Sequence, residues 1–146
     1  MVTAVRDSDA LAQACAQRMW SDDNASQALG MSLNAVEPGV ASLSMTVGSD
    51  MVNGLAVCHG GFISTLADSA FAFACNSRGT VTVAAGFDIT FLEPVHLGDR
   101  LVAEAREVAL RGRSGIYDVT VRRGEKVVAE FRGRSRSLGR AILEEE

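Results

Sequence analysis

Apolar residues follow two different periods along this chain, and the changes of period divide it into elements. Between Ser8 and Met19 the residues Leu11, Cys15 and Met19 recur every four positions with alanines between them. This spacing predicts an amphipathic helix over about residues 8–20, entered through Ser8 or Asp9 as a cap. Gly30 closes that region. Met31–Val36 reads as a strand stopped by the turn signal Glu37-Pro38-Gly39, and Val40–Val47 alternates Ala41, Leu43, Met45 and Val47 against Ser42, Ser44 and Thr46. Such alternation marks a half-buried antiparallel strand, so the two segments form a hairpin. After a polar, glycine-containing loop from Gly48 to Cys58, Gly61–Cys75 is apolar on nearly every side. That pattern predicts a central helix over about residues 60–76, buried all round. Four strand-like segments follow, Thr80–Leu92, Asp99–Leu110, Ile116–Arg123 and Lys126–Leu138. Glu93-Pro94 with Gly98-Asp99, Gly112-Arg113-Ser114-Gly115 and Gly124-Glu125 separate them as turns. Residues 139–146 read as a frayed tail.

Runs of strands joined by short turns imply an antiparallel sheet, and a single all-apolar helix must be covered by that sheet. The expected architecture is therefore α+β, a strongly curved antiparallel sheet wrapped round one long buried helix. The small residues Ala84, Ala85 and Gly86 would permit close approach of the layers. A length of 146 residues suits one globular domain over 1–146. A net charge of −4 argues against nucleic acid or an anionic membrane as partner, and no apolar run approaches the length of a membrane span. The three cysteines, Cys15, Cys58 and Cys75, form no CxxC pair, and Met1–Arg18 lacks the apolar core of a secretory leader. A reducing cytoplasm is the expected setting. Cationic charge is uneven: residues 1–98 hold 3 Arg against 9 acids, whereas residues 99–146 hold 11 Arg or Lys against 9 acids, three of them terminal. This last third carries either ordinary solvent-facing strand positions or a patch for the phosphates of a small anionic ligand.

One carboxylate stands out. Asp68 lies in mid-helix between Leu66-Ala67 and Ala70-Phe71, where a charge removed from water costs several kcal/mol unless paired. Either neighbouring hydroxyls on Ser64, Thr65 or Ser69 satisfy it, or it is a functional acid in a pocket wall. The helix start is the second signal. Cys58-His59-Gly60-Gly61 places two glycines where backbone N–H groups lack internal partners and the helix dipole favours negative charge. An oxyanion or phosphate fits there, although a Gly-Gly step also serves as a plain cap. Asp68 is 8 residues beyond Gly60, a separation of about 12 Å along one helix. They cannot touch the same small group. If both serve one reaction, Asp68 must meet the glycine N–H of a second copy, as two antiparallel helices in a two-fold dimer would arrange. Other chemistries lack their footprints: adjacent Cys58 and His59 side chains diverge, His96 reads as a turn residue, and no HExxH, CxxC, GxGxxG or P-loop spacing occurs. No metal and no separate cofactor are expected.

The words Asn53-Gly54, His59-Gly60-Gly61 and Leu66-Ala67-Asp68 together resemble the signature of hotdog-fold thioesterases of the PaaI-like, phenylacetate-pathway group. Ala74-Cys75-Asn76-Ser77, Phe91-Leu92-Glu93-Pro94 with Gly98-Asp99, and Gly115-Ile116-Tyr117-Asp118 extend the similarity from about Gly30 to Ser137. The resemblance implies an acyl-CoA thioesterase acting on aryl or phenylacetyl-CoA substrates, with Asp68 as catalytic base or nucleophile and the Gly60 N–H polarising the thioester carbonyl. Asn53 matches the residue that orients the carbonyl or the attacking water, and His59 lines the same site. Gly61, Met51 and Val52 would border the acyl group, while Arg111 and Arg113, with Arg132 and Arg134, would face the CoA phosphates. The implied assembly is a homodimer with sites between subunits, itself paired into a homotetramer, a dimer of dimers. Where the family helix often carries a hydroxyl one turn after the acid, this chain has Ala72. Two rivals share the fold. A hotdog dehydratase approaches its glycine through proline, which Val57-Cys58-His59-Gly60-Gly61 lacks, and a non-catalytic acyl-CoA sensor dispenses with the acid that Asp68 supplies.

Overall fold

The computed structural model describes residues 2–143, with side chains from residue 7 onward. Its elements run α1 (Val2–Asp22), α2 (Asn24–Ala28), β1 (Ser32–Glu37), β2 (Val40–Thr46), α3 (Gly60–Cys75), β3 (Thr80–Phe91), β4 (Arg100–Arg111), β5 (Ser114–Arg123) and β6 (Lys126–Ala141), with a short 3-10 turn at Ser49–Met51. The six strands form one sheet in the order β1-β2-β4-β5-β6-β3, every neighbouring pair antiparallel. Helix α3 packs on all six strands. This is the hotdog arrangement.

Side chains alternating inward from the strands meet the helix. Ala41, Leu43 and Met45 of β2, Leu101, Ala103 and Ala105 of β4, Tyr117, Val119 and Val121 of β5, and Phe131 of β6 are all buried. From α3 they receive Ile63, Leu66, Ala67, Ala70, Phe71 and Ala74. Phe71 is the centre of the aromatic packing, 5.6 Å from the Tyr117 ring and 5.8 Å from that of Phe131. Its ring lies so close to Gly133 that a Cβ there would stand 2.8 Å from three of its carbons.

Several sequence expectations need correction. The N-terminal helix reaches back to Val2 rather than starting near residue 8, and the short α2 was not foreseen. The tail expected from residue 139 begins later, because β6 stays paired with β3 through Ala141↔Thr80 and the Ile142 N–H bonds Gly79 O at 2.9 Å; residues 144–146 lie outside the described residues. Strand β5 starts at Ser114, since Gly115 is a packing position and not part of the turn: a Cβ there would fall 2.6 Å from Ser135 Oγ. Ala84 and Ala85 are exposed and Gly86 faces Arg134, at an irregularity in the β3–β6 register, so this trio does not bring the helix closer. Finally, α3 is not buried all round in one chain. Its sheet side is covered, whereas Gly61 is exposed and Thr65, Asp68 and Ala72 are only half-buried. Small and hydroxyl residues there satisfy a helix pattern without compelling burial.

The Gly133–Phe71 contact yields a prediction. Gly133→Ala forces the Phe71 ring to shift, and overpacking of this kind destabilises by about 1–3 kcal/mol. Urea unfolding should show a lowered midpoint with an unchanged slope, while Gly48→Ala, where a Cβ meets nothing within 4 Å, should leave the midpoint in place.

Candidate active site

The segment before α3 is tied down by its own backbone. Val52 and Cys58 form an isolated antiparallel bridge. Asn53 closes the intervening turn: its Oδ1 accepts the Leu55 N–H at 2.9 Å and the Val57 N–H at 3.3 Å, while Ala56 takes a positive φ of 63°. The Asn53 carboxamide thus spends its oxygen on the loop and keeps its Nδ2 donors for other groups. The Cys58 N–H bonds Val95 O at 2.6 Å and the His59 N–H bonds Met51 O at 2.7 Å. These contacts deliver His59 as the cap of α3. Its Nδ1 accepts the Gly61 N–H at 3.1 Å, and its carbonyl accepts the Phe62 N–H at 3.0 Å. Among the described residues the Gly60 N–H meets no acceptor.

Gly60 also sits against an aromatic ring. A Cβ at this position would lie 2.8 Å from Phe91 Cζ and 2.9 Å from Cε2, so only glycine fits without displacement. Strand β3 runs back along α3 and returns Phe91, its last residue, to the helix start. There Val57, Cys58, Gly60, Ile63, Phe91 and Val95 border a cleft of about 350 Å³.

Asp68 is half-buried on the open side of α3 and has no hydrogen-bond partner among the described residues. The three hydroxyls that could have satisfied it are engaged elsewhere. Ser64 donates to Gly60 O at 2.9 Å and Thr65 to Gly61 O at 2.8 Å. Ser69 meets Ser26 Oγ at 2.8 Å, and because the Ser26 hydroxyl already donates to Asp23 Oδ2 at 2.7 Å, Ser69 is the donor to Ser26. Burial pushes the Asp68 carboxyl above the ordinary carboxylate value.

The remaining sequence candidates divide. Asn53, His59, Gly60 and Gly61 cluster at the start of α3. Met51 is buried in the core and Val52 half-buried against it, so neither borders the cleft. Arg111 and Arg113 flank Gly112 in the β4–β5 turn, where Arg113 shares a small polar cavity with Cys75 at the other end of α3, about 22 Å from Gly60 by helix rise. One chain does not bring them to Gly60. Arg111 instead borders a hollow of about 360 Å³ with Ala85, Ala109, Ile116, Arg134 and Arg136. Arg132 is held bidentately by Asp118 at 2.6 and 2.9 Å, and Arg134 pairs with Asp88 at 2.9 Å. Cys58 is buried with its Sγ toward His59 O, and His96 sits exposed in the β3–β4 turn, its N–H bonded to Asp99. Phe91, Val57 and Val95 were missed as cleft residues, although the word Phe91-Leu92-Glu93-Pro94 carried the signal. No group of three His, Cys, Asp or Glu side chains among the described residues is placed to hold a metal ion.

Known proteins share this arrangement. The family model described as the thioesterase superfamily matches residues 55–130. Acyl-coenzyme A thioesterase PaaI of Escherichia coli K12 is 41% identical over 131 residues, 89% of this chain and 94% of that protein. The solved structure of the E. coli PaaI protein from the phenylacetic acid degradation operon superposes with a TM-score of 0.89 at 39% identity, covering 91% of this chain and 97% of that one. The smu.793 protein of Streptococcus mutans UA159, bound to acetyl CoA, gives 0.73 at 26% identity over 76% of this chain and 90% of its own. With a family match across more than half its length and a relative this similar over nearly all of it, the chain belongs to the thioesterase superfamily.

Proposed function

We propose that the chain hydrolyses acyl-CoA thioesters, arylacetyl-CoA among them, in a homodimer whose sites each combine Gly60 of one subunit with Asp68 of the other. The observation that carries this reading is a pair of unsatisfied groups, the Gly60 N–H and the Asp68 carboxylate, 8 positions apart on one helix. That spacing amounts to about 12 Å, too far for one small group and suited to a second, antiparallel copy. The CoA-bound S. mutans structure and the E. coli relative support the substrate class. Strand β3 supports pairing of copies: it is an edge strand, paired among the described residues only with β6.

In this reading the thioester oxygen accepts the Gly60 N–H, which faces the charge as it develops. Asp68 supplies the nucleophile, by direct attack of its carboxylate or by taking a proton from water. The C–S bond breaks, the thiolate leaves and is protonated, and one water is consumed in forming the free acid. A thiolate leaves readily, so one carboxylate and one amide donor suffice without a triad, a metal or a separate cofactor. Asn53 Nδ2 and His59 border the carbonyl. The hollow bordered by Arg111 and Arg136 takes the charged end of CoA, and Arg113, across Gly112 from Arg111, adds to the positive charge of that turn. Three free, buried cysteines fit a reducing cytoplasm.

Asp68→Asn keeps the shape and removes the charge, so kcat for thiol release should fall at least about 100-fold with the fold retained; a folded variant with most of its activity would make Asp68 structural. Because burial raises the Asp68 pKa, the folded state binds this proton more tightly than the unfolded chain does. Its stabilising contribution is present below the ordinary carboxylate value of 3.8 and lost as pH rises through the raised one. In urea titrations Asp68→Asn should therefore gain stability over the parent at pH 7 and lose that advantage in acid. The acid limb of kcat/KM should likewise lie above the ordinary carboxylate range.

Subunit sharing has its own test. Mixing Asp68→Asn with Gly60→Pro, which removes the N–H at the first helical position, gives mixed dimers with one intact and one doubly defective site. Random reassembly of equal amounts should restore about a quarter of the parental activity, by two-fold counting. With both variants folded, dimeric and exchanging, absence of recovery would mean that each site lies within one subunit.

A further inference from the structure

Phe91 occupies a position that packing does not explain. Phe91 is 48% exposed, so much of the stabilisation that full burial of such a ring would bring is forfeited. The ring is nevertheless held in place. Phe87 and Phe91, four residues apart, share one face of β3. That face is the helix side, because Phe87 stacks on the buried Phe131 at 4.7 Å. The chain beyond Phe91 is anchored by the Leu92 and Glu93 N–H groups, both bonded to Val128 O at 2.8 and 3.3 Å, and then turns at Pro94. One part of the ring rests on the Gly60 backbone, and the rest borders the cleft with Ile63, Val57 and Val95.

An aromatic plane beside an unpartnered amide has two consequences. It keeps water from competing for the N–H, and a hydrogen bond formed next to apolar surface is stronger than one formed in water. It also presents a flat wall to whatever group is attached to the carbonyl. Planar groups gain from an offset or edge contact with such a ring, whereas long flexible chains need the volume that it fills. We infer that Phe91 is the specificity-determining residue of this site, its ring selecting compact planar acyl groups over extended aliphatic ones while shielding the Gly60 N–H.

The inference rests on the thioesterase reading and can fail separately from it. Purified Phe91→Leu and Phe91→Ala are assayed for thiol release from phenylacetyl-CoA, hexanoyl-CoA and dodecanoyl-CoA, with Phe87→Ala as control on the same face of the same strand. Leucine keeps bulk and loses planarity, so the ratio of kcat/KM for phenylacetyl- over hexanoyl-CoA should fall about fivefold to tenfold, the scale of one aromatic pair. Alanine should add a gain of dodecanoyl-CoA relative to both, together with a lowered kcat for every substrate as the amide becomes hydrated. The control should leave the acyl ranking unchanged. An unaltered ranking in both Phe91 variants, or the same shift in Phe87→Ala, would overturn the inference. If the parent releases no thiol from any of the three, the hydrolase reading fails. The ranking is then taken from calorimetric affinities of the corresponding non-hydrolysable thioethers, with the same ratios supporting or overturning the role of Phe91.

Discussion

Two backbone hydrogen bonds, from the Cys58 N–H to Val95 and from the His59 N–H to Met51, determine where α3 begins, and the site depends on that register. Both tie the loop before the helix to neighbouring backbone, so His59 arrives in an extended conformation with its ring turned back to cap Gly61. The cap satisfies one helix-start donor and leaves the preceding one, on Gly60 at the border of the cleft, without an acceptor among the described residues. A start one residue earlier would put the aromatic contact of Phe91 on His59, a residue with a side chain, and would turn Asp68 by about 100° around the helix axis.

The far end of α3 is held differently. Asn76 donates to Ala72 O and Thr82 O and accepts the Thr82 N–H, joining the last helical turn to the first residues of β3. Nearby, Glu107 receives the Tyr117 hydroxyl at 2.9 Å and the Arg78 guanidinium at 3.1 and 3.2 Å. Burial works against the Glu107 charge, but these donors hold its carboxyl below the usual value. The Cys75 thiol, by contrast, is pushed up to about 12 by burial and remains neutral. This end is a polar anchor around a small cavity. The end at Gly60 leaves a backbone donor unsatisfied beside an open cleft.

Most of the architecture was legible from periodicity, because a strand with one buried face must alternate and a helix under a sheet must be apolar. What was not legible followed from contacts distant in sequence. Gly115 reads as turn punctuation until Ser135 and Tyr117 are seen to leave no space for a Cβ, and residues 139–141 read as tail until their pairing with Thr80 is known. Within the site, Asp68 and Gly60 stood out because a mid-helix carboxylate and a glycine pair at a helix start break local rules. Phe91 breaks none, since a phenylalanine at a strand end is ordinary. Its importance comes from a fold that returns it to a glycine 31 positions earlier. The arginines were the hardest group, because a basic stretch does not say which guanidiniums are already neutralised by Asp118 and Asp88.

The chain of bonds running from Ser69 through Ser26 to Asp23 ties the N-terminal segment to α3. Each hydroxyl in it points its proton toward the next acceptor, and the series ends on a carboxylate at the cap of α2. The Ser69 proton is thereby committed to the Ser26 oxygen. A segment more than forty positions upstream thus keeps the Ser69 hydroxyl fully occupied.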